Sequence, residues 1–205
     1  GERMAKTFIE VGKRLGITTE VVLTDGTQPS GQTFGPALEA KEALEILEGK
    51  TFNSLAQKAC ELSGVLLELT GKVPKGKGTL TALDILRSGK ALKKFQEIIK
   101  AQGPKILHSK DVPRAPFIKK VTVPRDGEVS SFNLKKLIEV ARISGAPGDQ
   151  LAGIILRVDI GDKVKKGDLL FEIHGENKRK LDLAFSACFD DHIVELERII
   201  LEKIE

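Results

Sequence analysis

The chain of 205 residues carries 33 basic and 29 acidic side chains, a formal net charge of +4, with 40% of its residues hydrophobic. That supports one sizeable core or two small ones, and a near-balanced surface that tolerates a phosphate-bearing partner but lacks the basic stripe of a nucleic-acid binder. Aromatic residues make up 4% and include neither Trp nor Tyr, so stacking platforms for single-stranded nucleic acid are not expected.

"GERMAKTFIEVGKRLG" places Phe8, Ile9, Val11 and Leu15 near one face and predicts an amphipathic helix from residue 2, stopped at Gly16. "TEVVLT", Thr19 to Thr24, reads as a short buried strand. The stretch "TDGTQPSGQTFGPALEAKEAL" then holds two turn clusters, Asp25-Gly26 and Pro29-Ser30-Gly31, before Pro36 opens a helix. Leu38, Ala40, Ala43, Leu44 and Leu47 continue that helix until Gly49. "FNSLAQKACELSGVLLELTG" repeats the helical period up to Gly71, and "LTALDILRSG" and "KALKKFQEIIKAQG" are two shorter helices closed by glycine.

Pro104, Pro113 and Pro116 mark an extended, basic connector, beyond which the pattern turns strand-like. "IKKVTVPRDGEVSSF" reads as a hairpin about Asp126-Gly127, and "NLKKLIEVARISGAPG" as a helix capped by Asn133. "AGIILRVDIGDKVKKGDLLFEIHG" predicts strands broken by Gly161-Asp162 and Gly167-Asp168. "KRKLDLAFSACF" predicts a last helix, and "HIVELERIILEKI" a closing strand or helix. The division that follows is a helix-rich part over 1–103, a connector over 104–118 and a β-rich part over 119–205.

Few residues carry a chemical signal alone. Cys60 and Cys188 sit in apolar helical runs and read as buried thiols. His108, His174 and His192 share no metal-ligand spacing and read as solvated or core-satisfied. "GKVPKGKGT" puts three lysines among glycines but lacks phosphate-loop spacing and a preceding strand. "GDKVKKGDLLFEI" resembles the curled β-structure of barrel-sandwich domains that carry biotin or lipoate. The Met-Lys-Met of a biotin carrier is absent, since Met4 is the only methionine. No apolar run is long enough to span a bilayer and no leader is evident, so a soluble, cytoplasmic protein with neither membrane nor nucleic-acid partner is expected.

The turn-rich stretch resembles the T-D-x-x-Q-P-x-G and G-x-A-L-E-x-x-E-A block of the thymidine and pyrimidine-nucleoside phosphorylases. "GVLLELTGKV", "ILRSGKALKKFQEIIKAQG", "VTVPRDGEVSSFN" and "AGIILRVDIGDKVKKGDLLFEIH" are similar to later family blocks in the same order. Gly26 and "GPALEA" look closer to the archaeal AMP phosphorylase branch. The resemblance implies a mixed α/β fold: the tail of a phosphorylase α/β domain, then an α+β domain of barrel-sandwich or hammerhead character. It implies a pentosyltransferase acting on a nucleotide or nucleoside, with inorganic phosphate as co-substrate and no organic cofactor. AMP is the expected substrate, thymidine or another pyrimidine nucleoside the enzymatic alternative, and a non-catalytic oligomerisation or carrier module the alternative of another class.

The family's Gly-rich phosphate loop and its base- and sugar-holding residues have no counterpart in these 205 residues. The chain is therefore expected to be the C-terminal part of a longer enzyme, with no catalytic or substrate-binding residue of its own and no activity alone. By motif, a monovalent cation in some family members maps onto Ser30 and Thr33 through backbone carbonyls and onto Glu42 through its carboxylate, donors suited to a hard cation. The plainer alternative makes Glu42 a surface helix acid. The resemblance also implies a homo-oligomer assembled partly through the C-terminal region, where Ile193, Leu196, Ile199, Ile200 and Ile204 fall close together.

Overall fold

The computed structural model describes residues 1–103, 106–189 and 193–197. Helix α1 spans Glu2–Arg14, as its apolar period predicts, yet Met4, Phe8, Val11 and Leu15 lie exposed. Residues 19–24 depart from expectation. They form no strand, and Val21, Val22 and Leu23 are exposed. β-Branched side chains favour an extended backbone, but a strand needs a hydrogen-bonded neighbour, and no described residue pairs with this stretch.

Strand β1 (Thr33–Phe34) leads into α2 (Pro36–Leu47), whose proline occupies the first turn, where its missing N–H costs nothing. Helix α3 (Ser54–Leu69) starts at Asn53, whose side chain accepts from the Ala56 N–H at 3.2 Å. Helices α4 (Gly78–Arg87) and α5 (Lys90–Ala101) follow, and α3, α4 and α5 pack in sequence. The lysine-rich turn before α4 is no phosphate cradle: the Glu68 carboxylate accepts from Gly78 N at 2.7 Å and fills it. Residues 106–116 are irregular except for one 3-10 turn, Ser109–Asp111.

The β-rich part contains β2 (Phe117–Thr122), β3 (Gly127–Phe132), α6 (Leu134–Ser144), β4 (Gly153–Leu156), β5 (Lys163–Val164), β6 (Leu169–Gly175), α7 (Lys178–Ala187) and β7 (Val194–Glu197). They form two antiparallel sheets, ordered β1-β4-β6-β2 and β5-β3-β7. The expected hairpin about Asp126-Gly127 is therefore wrong. β2 and β3 are consecutive yet belong to different sheets. Val123 instead exchanges backbone bonds with the second Gly-Asp turn, donating to Asp168 O at 2.8 Å and accepting from Gly167 N at 2.9 Å, and Pro124 turns the chain away. Both Gly-Asp turns form as read: Gly161 and Gly167 take φ of +90° and +95°, and Asp162 and Asp168 each accept an N–H three residues back at 2.8 Å.

The main core lies between the two sheets and helices α6 and α7, centred on Leu137, Ile154, Leu156, Phe171, Ile173 and Leu181. Asn133 caps α6 as predicted, accepting from Lys136 N at 3.1 Å. Of the closing stretch, Val194–Glu197 is a strand, while His192, Ile199, Ile200 and Ile204 lie outside the described residues, as do Pro104 and Lys105. The helical part joins the β-rich part through β1, which pairs Thr33 with Ile155 and Phe34 with Ile154. Two glycines permit that approach. A Cβ at Gly35 would lie 2.2 Å from Ala152 O, and one at Gly153 would lie 1.9 Å from Phe34 O.

Candidate functional site

The turn-rich loop, residues 24–35, is held from three sides. At its tip, Asp25 Oδ1 accepts from Thr27 N at 2.8 Å and from Thr27 Oγ1 at 2.7 Å. These two bonds, the backbone one foremost, hold the Asp25 carboxyl below the usual carboxylate range. From α3, Ser54 Oγ accepts from Gly31 N at 3.2 Å, and Lys58 Nζ donates to Ser30 Oγ at 2.6 Å and to Asp25 O at 3.0 Å. Ser54 and Lys58 stand four residues apart, one above the other on one helix face.

From α2 comes Glu42, which is 7% exposed. Its Oε1 accepts from Gln32 N at 2.8 Å and from Asn53 Nδ2 at 2.6 Å, and its Oε2 accepts from Thr33 Oγ1 at 2.5 Å. The reading of Glu42 as a surface acid is thereby overturned: a buried carboxylate must be satisfied internally, and three donors satisfy this one. From the β-rich part, Gln28 Oε1 accepts from Phe132 N at 3.1 Å, and Gln32 Nε2 donates to both oxygens of Asp159 at 3.2 and 3.1 Å. Leu156 N also donates to Gln32 O at 2.7 Å. The loop thus borders a cavity of about 540 Å³ shared by both parts of the chain, with Asp25, Gln28, Asn53, Ser54 and Asp159 on its wall.

Of the three residues singled out in the sequence, the structure joins Thr33 to Glu42 and sets Ser30 across Gly31, with its hydroxyl on Lys58. Gln28, Gln32, Asn53, Lys58 and Asp159 were not foreseen. Asn53 was legible as a residue before a helix, and Lys58 as the residue one turn beyond Ser54. The link to Asp159 spans 127 positions and had no local signal.

Two further polar clusters lie on α2 and β6. Glu48, at the end of α2, accepts from Ser109 N at 3.0 Å and Ser109 Oγ at 2.5 Å, pairs with Lys50 at 2.7 Å, and lies 3.2 Å from His108 Nδ1. Burial opposes its ionisation, but Lys50 and Ser109 outweigh it and bring the carboxyl down to about 2. On β6, His174 is 6% exposed, and neither ring nitrogen makes a hydrogen bond. Its Nε2 is 3.6 Å from Glu172 Oε2, which Arg157 Nη2 engages at 2.5 Å. His174 is therefore neither solvated nor core-satisfied, and burial holds its pKa below the usual value against the pull of Glu172. Cys60 and Cys188 are buried free thiols, as expected; burial pushes Cys188 up to about 12. No three His, Cys, Asp or Glu side chains among the described residues are grouped to hold a metal ion. No described helix is long and apolar enough to cross a membrane.

The sequence that builds this helical layer and its two small antiparallel sheets has recognisable relatives. Residues 129–190 match the pyrimidine nucleoside phosphorylase C-terminal domain, and the chain is similar along its length to curated AMP phosphorylases. It is 45% identical to the AMP phosphorylase of Pyrococcus furiosus over 98% of its own length and 41% of that protein's. Against the AMP phosphorylase of Thermococcus sibiricus the identity is 44%, over 98% and 40%; against that of Methanosarcina barkeri it is 40%, over 100% and 41%. The chain thus spans about two fifths of the length of these relatives.

Proposed function

We propose that this chain is part of an AMP phosphorylase, a pentosyltransferase that converts AMP and inorganic phosphate to adenine and ribose 1,5-bisphosphate. The observation that carries the reading is similarity to AMP phosphorylases along the entire helical and β-rich parts, through the loop built around Glu42 and Gln32. In that reaction phosphate attacks the anomeric carbon as the C–N bond to adenine breaks, and adenine takes up a proton. Rate comes from holding phosphate and base in line and from stabilising the departing base. The part assigned to these residues is to fix the Gln-Pro loop from three sides and so support the reacting groups without touching them.

The finer features follow from the same reading. The β-rich part, over 119–205, is a barrel-sandwich or hammerhead-like domain joined by the connector at 104–118 to the tail of an α/β domain over 1–103. The two sheets and the paired Gly-Asp turns support it. The enzyme assembles as a homo-oligomer, which the exposed apolar face of α1 supports. The monovalent cation implied for Ser30, Thr33 and Glu42 fits this donor set poorly. Three donors occupy Glu42, leaving about one of its roughly four lone-pair sites free. Assay of the full-length product of the gene that encodes this chain tests the proposal: phosphate-dependent release of adenine from AMP supports it. Release of thymine from thymidine, with AMP untouched, replaces it with the pyrimidine-nucleoside reading. The 205-residue chain alone is expected to give neither product.

A further inference from the structure

Among the described residues, buried side-chain nitrogen or oxygen atoms without a hydrogen-bond partner occur only on His174, and that ring lies in the seam between the two parts of the chain. In register His174 stands opposite Gly153 on β4 and Ile118 on β2, so its ring shares Gly153's face of the sheet. That is the face α2 covers: a Cβ at Gly153 would lie 3.0 Å from Leu38 Cδ1. We infer that His174 is a proton-operated release of this seam. The neutral ring lets α2 and β1 close on the sheet, and the protonated ring loosens their hold.

The physical reason is a shortage of acceptors. A protonated imidazole carries two N–H donors, and this one is 6% exposed, so both need partners inside the fold. Nδ1 has none. Nε2 has Glu172 Oε2 at 3.6 Å, beyond hydrogen-bond length, and that oxygen already accepts from Arg157 Nη2 at 2.5 Å. The other charges that reach the ring are cationic, Arg157 beyond β4 and Lys41 on α2. The acids of α2 are committed: Glu39 to Gly35 N, Glu42 to three donors and Glu45 to Lys41. On β2, Lys120 stands opposite Glu172 in register and adds a further cation. Helix α7 meets β6 from the other face, where Leu181 lies under Gly175. A charged ring must therefore stay unsolvated or draw Glu172 away from Arg157, and opening the seam to water relieves both. Because β1 and α2 carry Thr33 and Glu42, the release reaches the Gln-Pro loop.

The release does not depend on the substrate, so a negative AMP assay and a failure here are separate results. Hydrogen exchange of the whole chain is followed by mass spectrometry at about pH 7.5 and about pH 5.5, corrected for the intrinsic exchange rate. Peptides from 33–47 are expected to exchange ahead of those from 137–141 at both pH values, and to lose protection several-fold at the lower one. The ceiling on that loss is about tenfold, because the lower pH lies about one unit below the ordinary histidine value of 6.5. Unchanged or increased protection of 33–47 at the lower pH overturns the inference, and that arm needs no variant to fold. One protection value shared by both segments overturns it too, since the chain would then open only as a whole. His174→Phe keeps a ring that cannot take up a proton and is expected to abolish the loss; a loss that persists assigns it to another group. His108→Gln, beside Glu48, is expected to keep the loss, and its disappearance there counts against His174.

Discussion

At the scale of single residues, Glu42 and Glu48 are the two acids on which the helical part depends, because each accepts several local hydrogen bonds. Replacing Glu42 with Ala strands Asn53 Nδ2, Thr33 Oγ1 and Gln32 N, and is expected to cost about 2–3 kcal/mol in urea unfolding. In the folded chain the Glu48 carboxyl is held down to about 2, against an ordinary value of 4.5. A depressed carboxyl stabilises the fold fully above its unfolded pKa. The stabilisation, on the order of 2 kcal/mol, is lost as pH falls from about 4.5 towards about 2, and Glu48→Gln should flatten that part of the pH–stability curve. His174 acts in the same direction in a higher window. Its pKa is depressed by burial, so the unfolded chain takes up the proton first and stability falls as pH drops below 6.5. An NMR titration that places the His174 midpoint above 6.5 would contradict this account.

At the scale of elements, the connector and the β1–β4 joint have opposite consequences. The irregular stretch 106–116 carries Lys110 and Arg114 as exposed residues, so limited trypsin digestion is expected to cut there first. First cleavage within α6 instead would refute the division of the chain. The nicked parts are nevertheless expected to co-elute. β1 belongs to the sheet of the β-rich part, and Gln28 and Gln32 bind Phe132 and Asp159 across the same boundary. Separation of the parts on gel filtration without denaturant would show that these contacts do not hold them.

For the whole molecule, apolar surface is distributed unevenly. The β-rich part buries its core, whereas α1 and the segment after it expose Met4, Phe8, Ile9, Val11, Leu15, Ile17, Val22 and Leu23. An apolar face of that extent is a docking surface or an association hazard. Light scattering at micromolar concentration is expected to give a mass above 22.3 kDa for the chain. Replacing Phe8 and Val11 with Ser should bring it towards the monomer, and a variant with unchanged mass would place the contact elsewhere.

The sequence by itself determined the helices and the turns, because those are local. The 3.6-residue period, Pro36 at a helix start, Asn53 and Asn133 before helices, and glycines with positive φ act within a few residues. It also carried the family resemblance, since the Gln-Pro and Gly-Asp blocks stand in the family's order along the chain. Only the tertiary structure decided which strands pair and which polar groups are buried. "TEVVLT" has strand propensity and no partner; the segments around Asp126-Gly127 look like a hairpin but enter different sheets. Glu42 and His174 sit in polar sequence contexts, and each is buried only in the folded chain. Pairing and burial depend on what lies across a sheet or against a helix face. No window of neighbouring residues holds that information.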